Sequence, residues 1–353
     1  MNDIVRHDRY FESGRKFFRG DIPVAELRGS WYQMGRQYGA LLREELRKVL
    51  RFAEKNPSGI ARAGHCGISG RKRCDELYRG IAETSGLTPE QLRTVSSVER
   101  TGLDRMMENR RAEHNGGCCS SLAVRGARTA DGNVLFGRNY GWLPDFEEIL
   151  DTLVLSVFHP CDGANAVAMF NWTGCLYLTA GMNENGLFLE LDGGAFAGVR
   201  EEPGRIHSAW LLWEILLNSG DFAALRESFF SCRPSFACRV GAADPVRAEV
   251  FEWHPDRFCA PADSSGEASG VTGRCDLLKY AREYPAGERQ IGLPEITAVL
   301  DKAAAGGGAK TGGPLFQLVA APAEQVWLVK LRNRTGWTEI PLMNLLKGNG
   351  EPV

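Results

Sequence analysis

The feature that most limits what this chain can fold into is a change of period at Ser120. Upstream, apolar residues recur at helical spacing. Between Glu26 and Leu46, Gly29, Met34, Tyr38, Leu41, Leu42 and Leu46 fall on or near one stripe, with Ser30 placed as an N-cap. Downstream, apolar and polar residues alternate, and the turns become Asp-Gly, Asn-Gly and Gly-Gly. Residues 121–124 and 134–138, joined through Ala130-Asp131-Gly132-Asn133, read as a hairpin. A helical opening followed by runs of strands separated by runs of helices points to a layered α+β body, not to a doubly wound parallel sheet.

The same patterns predict strands at 152–159, 165–171, 175–181 and 187–192, helices at 207–218 and 221–230, and strands at 236–242 and 247–253. Loop-like stretches at 262–272 and 303–314 precede two last strands, 315–320 and 325–331. Upstream, residues 1 to about 115 read mainly helical, with one helix starting after Thr88-Pro89-Glu90 and running toward Met107. Gly35 and Gly39 are four apart, so they make a flat spot where a second backbone can approach. Trp210 and Trp213 read as core residues.

Charge and composition exclude several classes. With 42 Lys+Arg against 44 Asp+Glu, the formal net charge is -2, which gives no general field for nucleic acid or an anionic membrane. The longest apolar run, near 208–217, falls short of the roughly 18 consecutive residues a membrane helix needs. The first twenty residues, with Arg6, Asp8, Arg9, Arg15, Lys16 and Arg19, lack the apolar centre of a secretory signal. A soluble, cytoplasmic protein is expected. Neither a Walker sequence nor a dinucleotide fingerprint occurs, and the Gly-rich stretch 305–313 reads as a loop, not a phosphate cradle. His65-Cys66 with Cys74 lacks zinc-ligand spacing, so no metal and no cofactor is expected.

Ten cysteines is a high count without a CxxC pair. In a reducing compartment most are small buried hydrophobes. The adjacent Cys118-Cys119 stands apart because it falls where helical sequence gives way to strand. A thiol there is either a small residue at a strand edge or a nucleophile, which then needs a base and an oxyanion stabiliser.

Motifs around Cys119 decide between these. Cys119-Ser-Ser-Leu-Ala123, Thr129-Ala-Asp-Gly132 and Gly137-Arg-Asn-Tyr-Gly-Trp142 follow in order, flanked by Gly29-Ser-Trp-Tyr-Gln-Met-Gly-Arg-Gln-Tyr-Gly39 and Gly181-Met-Asn-Glu-Asn-Gly-Leu187. Together they resemble the N-terminal-nucleophile (Ntn) family of acyl-coenzyme A:6-aminopenicillanic-acid acyltransferase and its bacterial relatives, related to choloylglycine hydrolases and acid ceramidase. The resemblance covers nearly the whole chain. It implies an αββα sandwich of two antiparallel sheets behind an N-terminal helical segment. It also implies self-cleavage between Cys118 and Cys119, separating a helical pro-segment, 1–118, from a catalytic domain, 119–353. The freed α-amine, titrating near 8, is then the general base. Register selects Cys119, from which thirteen residues reach Gly132 and nineteen reach Arg138, as in the family. Arg138 is implied beside the nucleophile, and Tyr140 and Thr272 are implied substrate contacts.

Three departures fall in the chemistry. The family's carboxylate after Gly-Arg-Asn-x is Gly141 here, an oxyanion-donating Asn is Asp192, and a later Asn following Thr272 is Gly273. An ionised Asp192 would repel an oxyanion, and one lost donor costs about 2.7–4 kcal/mol in a protease. Asp192 is therefore protonated by burial, or replaced in its role by backbone N–H groups, or part of a reassigned site. Glu190, two residues earlier, shares its strand face, so the pair either binds a cationic or amine substrate, shares a proton as acid and base, or is a solvated face. His114 is a candidate helper in processing, and Arg110-Arg111 reads as a solvated pair.

Three functions remain open: a cysteine amidohydrolase or acyltransferase on a small N-acyl or peptide-derived compound, an isomerase or cyclase using Cys119 with Glu190 or Asp192, and a non-catalytic binding protein. Expected partners are a small-molecule or peptide-derived substrate, acyl-coenzyme A where transfer operates, and a second copy in a homo-oligomer. Nucleic acid and membrane are not expected.

Overall fold

Two β-sheets carry the fold in the computed structural model, which describes residues 7–55, 72–99, 119–192, 207–256, 260–261, 271–273, 277, 290–306 and 313–348. The smaller sheet is built on the expected hairpin. Strands β4 (Ser120–Gly126) and β5 (Gly132–Tyr140) pair antiparallel from Ser120↔Asn139 onward. Their turn is closed by Asp131, whose Oδ1 accepts the Asn133 N–H at 3.0 Å, with Gly132 at φ +81. β13 (Val271–Gly273) adds at the β4 edge, and β14 (Phe316–Ala321), β15 (Val326–Leu331) and β16 (Thr338–Pro341) add beyond β5.

The larger sheet runs β1 (Arg9–Phe11), β2 (Gly14–Arg19), β3 (Ile22–Gly29), β6 (Leu153–Pro160), β7 (Val167–Trp172), β8 (Ala180–Asn183), β9 (Phe188–Asp192), β10 (Cys238–Ala243), β11 (Ala248–Trp253) and β12 (Ala260–Pro261) in spatial order. Neighbours pair antiparallel except β3 and β6, which run parallel from Val24↔Leu155 to Gly29↔Pro160. That pairing follows from the long crossover between them, which contains the helices α1 (Trp31–Leu41), α2 (Arg43–Lys55), α3 (Lys72–Ser85) and α4 (Pro89–Ser96) as well as the β4–β5 hairpin.

Alternation sorts the side chains into layers. On β5, Phe136, Arg138 and Tyr140 point toward the larger sheet, where Phe136 meets Phe188 with ring centroids 5.1 Å apart. Leu135, Gly137 and Asn139 point the other way, toward α7 (Leu293–Gly306); Asn139 donates to the Leu300 carbonyl at 3.3 Å. The far face of the larger sheet is covered by α5 (Ser208–Asn218), to whose Leu216 carbonyl Asn183 donates at 3.0 Å, with α6 (Phe222–Ser231) beside it. Helix, sheet, sheet and helix stack as the αββα order expected, and Trp210 and Trp213 are buried in α5. A short α8 (Leu342–Leu346) closes the described chain.

Ser30 caps α1 in a reciprocal box with Gln33. The flat spot on α1 is filled by α3: a Cβ at Gly35 would lie 2.1 Å from the Leu77 carbonyl oxygen, and one at Gly80 would lie 2.2 Å from that of Tyr32. Backbone contact at that distance admits glycine only.

The structure differs from the sequence reading in three places. Strands β1 to β3 precede the helical segment; the signal was the two-residue turn Gly20-Asp21 between Phe17-Phe18-Arg19 and Ile22, with Gly20 at φ +52. The strand expected at 175–181 starts only at Ala180. Asn171 donates to the carbonyls of Cys175 and Tyr177, and Gly174 (φ +91) gives its N–H to Tyr38 Oη at 2.7 Å, which holds 173–179 as an irregular loop. A 3-10 segment, Pro144–Thr152, and β16 were not foreseen. The continuation toward Met107, His65-Cys66, Arg110-Arg111, His114, most of the loop 262–272 and residues 307–312 of the Gly-rich stretch lie outside the described residues. Among the described residues no helix is long and apolar enough to cross a membrane.

Candidate active site

Cys119 immediately precedes β4 and shares the inward-facing set with Ala123, so the register of the hairpin brings it to the same inner surface as Arg138 on β5. Its Sγ lies 3.7 Å from Nη2 of Arg138 and donates to the Gly141 carbonyl at 3.7 Å. It is 7% exposed. The thiol is therefore held between a cation and a carbonyl at the inner edge of the smaller sheet.

Arg138 is clamped on every side. Nη1 donates to the Thr179 carbonyl, Nη2 to the Leu191 carbonyl at 2.7 Å, and Nε faces Glu190 Oε2 at 3.0 Å, with both side chains only 1% exposed. Its guanidinium carbon sits 4.9 Å from the Tyr140 ring centroid. Burial works against its charge, but Glu190 and the Cys119 sulfur outweigh that and keep its pKa above the ordinary value. The cation is permanent and its direction is fixed.

Three elements are needed for this clamp, and the sequence explains each. The loop 173–179, tied down by Asn171, presents the Thr179 carbonyl. β9 supplies Glu190 and the Leu191 carbonyl. Glu190 lies opposite Gly241 of β10, where a Cβ would lie 2.4 Å from Phe136 Cζ and 2.9 Å from Glu190 Cγ, so the missing side chain leaves the room that the buried carboxylate occupies.

A pocket of about 500 Å³, its open mouth included, adjoins the sulfur. Its walls are mostly apolar or aromatic, with Tyr140, Trp142, Tyr177, Leu191 and Phe236 among them, and its polar groups include Glu99, Arg138 and Thr179. Glu99 comes from just beyond α4 and is 6% exposed; its Oε1 accepts the Tyr140 hydroxyl. Burial raises its pKa, against the hydrogen bond of Tyr140, the neighbouring Tyr177 hydroxyl and the charge of Arg138.

The structure thus brings together Cys119, Arg138, Tyr140 and Glu190 from the sequence-predicted set. Glu190 is not on a solvated face: it is buried and paired with Arg138. Backbone is described for Asp192, opposite Arg239, and for Thr272, opposite Ala123, but not their side chains. Cys118 lies outside the described residues. Glu99, Trp142, Tyr177 and Phe236 were missed. The Thr173-Gly174 turn between two predicted strands was the one available signal, pointing to the loop that carries Tyr177. Among the described residues no His, Cys, Asp and Glu cluster could hold a metal ion.

No protein-family model matches the chain, and no curated protein matches it. Solved structures do. A Caenorhabditis elegans orthologue of N-acylethanolamine-hydrolyzing acid amidase is similar at 10% identity over 58% of this chain and 93% of its own, with a TM-score of 0.43. A variant of conjugated bile acid hydrolase from Clostridium perfringens matches at 12% identity over 64% and 92%, TM-score 0.47. Penicillin V acylase from Agrobacterium tumefaciens matches at 11% identity over 66% and 89%, TM-score 0.46.

Proposed function

We propose that this protein is an N-terminal-nucleophile cysteine enzyme in which Cys119 attacks an amide or thioester carbonyl and carries the acyl group as a thioester. The observation that supports it best is the Cys119 sulfur, 3.7 Å from a permanently charged, immobilised guanidinium and facing a largely apolar pocket. A fixed cation beside sulfur favours the thiolate, the reactive form. The apolar walls suit the acyl portion of a small N-acyl or peptide-derived compound. Water then completes hydrolysis, or an amine takes the acyl group and frees the thiol, with acyl-coenzyme A as the thioester donor where transfer operates.

The reading includes cleavage between Cys118 and Cys119, with 1–118 as the first fragment and 119–353 as the second. The new α-amine of Cys119 takes the thiol proton and returns it to the leaving amine. Isomerisation through paired carboxylates is the weaker alternative, because Glu190 already neutralises Arg138.

Intact mass under denaturing conditions, before and after a thiol electrophile, tests this. Two fragments are expected, with the label on the one beginning at Cys119. Cys119→Ser should abolish labelling there and turnover of N-acyl substrates. Loss of turnover in Cys118→Ser alone would make the neighbour the nucleophile.

A further inference from the structure

One carboxyl group in the pocket has no task in the chemistry above. Glu99 belongs to the N-terminal segment, yet it lines the same pocket as Cys119. Its Oε1 is engaged by Tyr140, whose ring packs on the Arg138 guanidinium, so the carboxyl stands one tyrosine side chain away from the catalytic cation. Its Oε2 is buried and has no hydrogen-bond partner. A buried polar atom left without a partner is costly, and a ligand atom is one group that would satisfy it.

From this geometry we infer that Glu99 is a specificity-determining residue: Oε2 hydrogen-bonds a hydroxyl or carbonyl oxygen at the end of the substrate's acyl group farther from Cys119. Which end of the ligand faces the sulfur rests on the function proposed above; the contact itself does not. Burial favours the neutral carboxyl, and with Oε1 accepting from Tyr140 the proton falls to Oε2, making it a donor. The surroundings offer mostly aromatic and apolar contact, which binds broadly but selects poorly. A carboxyl donor set in such walls, away from the Arg138 side of the pocket's polar groups, favours a polar-tipped acyl group over an apolar one. A purely apolar acyl group would leave Oε2 unpaired and bind worse. The substrate class is thus a compact aromatic or short aliphatic acyl group ending in an oxygen acceptor.

Binding of unreactive acids to the full protein tests the contact without turnover. Titration calorimetry would compare 3-(4-hydroxyphenyl)propanoate with 3-phenylpropanoate, and the same pair with one and two more linking carbons. At least one hydroxylated acid should bind about 10- to 100-fold more tightly than its partner. Glu99→Gln, which keeps a donor of the same shape, should retain part of that preference. Glu99→Leu should reduce it to within twofold, the hydroxylated acid losing most of the affinity. Equal weakening of both acids in Glu99→Leu would overturn the inference, since Glu99 would then only brace Tyr140. Absence of preference across the wild-type series would overturn it too. Electrophile labelling of Cys119, scored in parallel, separates the two readings: labelling without preference sinks only the Glu99 contact, and preference without labelling sinks only the nucleophile.

Discussion

Glu190→Gln removes one charge from the Arg138 pair while keeping the shape and a hydrogen-bonding oxygen. The pair lies at 3.0 Å with both partners 1% exposed. At that separation two unit charges attract by about 5–6 kcal/mol at an effective dielectric of about 20. Measured losses on breaking a buried pair are about 3–5 kcal/mol, because the surviving charge is left uncompensated. For a chain of this size, with an unfolding entropy of about 2.1 cal/mol/K per residue, about 1.4 °C of melting temperature accompanies each kcal/mol, so the variant should melt roughly 4–7 °C lower. Calorimetry at neutral pH reads this directly. Repeating it in about 0.5 M salt should leave most of the deficit, since a buried pair is little screened. Alkylation of Cys119 should meanwhile speed up at mildly acidic pH, because the guanidinium's field at the sulfur is no longer opposed. A melting point within about 2 °C of wild type would refute the reasoning: Arg138 would then be held by its carbonyl contacts alone, and Glu190 would be free for other work.

Other outcomes follow from single features. Native-state alkylation followed by peptide mass analysis should modify Cys119 while sparing Cys175, whose thiol is pushed far above its usual range chiefly by burial; unfolding should expose both. Gly35→Ala should separate α1 from α3 and cost about 1–3 kcal/mol in denaturant unfolding, as overpacking does, because the new Cβ meets the Leu77 carbonyl at 2.1 Å. His159 is pushed down to about 4, by burial first and by Arg28 second, against the pull of Glu26. Its native pKa lies below its unfolded value of about 6.5, so stability is unaffected above that pH and falls as pH drops from about 6.5 toward 4. Urea midpoints at pH 7 and 5 should differ by about 2 kcal/mol more in wild type than in His159→Gln.

Much of this was legible because it is local. The hairpin from Ser120, the Ser30 cap, the Asp131-Gly132 turn and the small residues at Gly35 and Gly39 all act on near neighbours in sequence, and each is found as read, whereas the helical reading upstream missed β1 to β3. The adjacency of Arg138 to Cys119 was legible for the same reason, since a hairpin turns nineteen residues of spacing into contact. What escaped is convergence. Glu190 was read as a pair with Asp192 because strand alternation is visible in one dimension, whereas its partner Arg138 lies across the gap between two sheets. Glu99 and Tyr177 arrive from segments 78 residues apart in number, meeting only because α4 and the loop 173–179 pack together, as Val95 does against Gly174. The short strands β1 and β2 have mixed polar composition, and their meaning comes from β3, whose own register is set by β6 far downstream.

That last pairing bears on what the proposed cut before Cys119 would do to the molecule. β3 sits inside the larger sheet, hydrogen-bonded to β2 on one side and to β6 on the other, and Tyr38 reaches across to the backbone of Gly174. A break ahead of Cys119 would sever the covalent thread but none of these bonds. The two pieces would travel as one particle through a sizing column and part only on a denaturing gel, so dilution would not separate them but unfolding would. Such a joint also dictates a sequence of events. The strand from the first piece must be seated beside β6 while both are still one chain, because an uncut tether holds the two edges at high effective concentration and a cut one does not. Pieces produced separately would meet with their pairing edges bare, each inviting copies of itself.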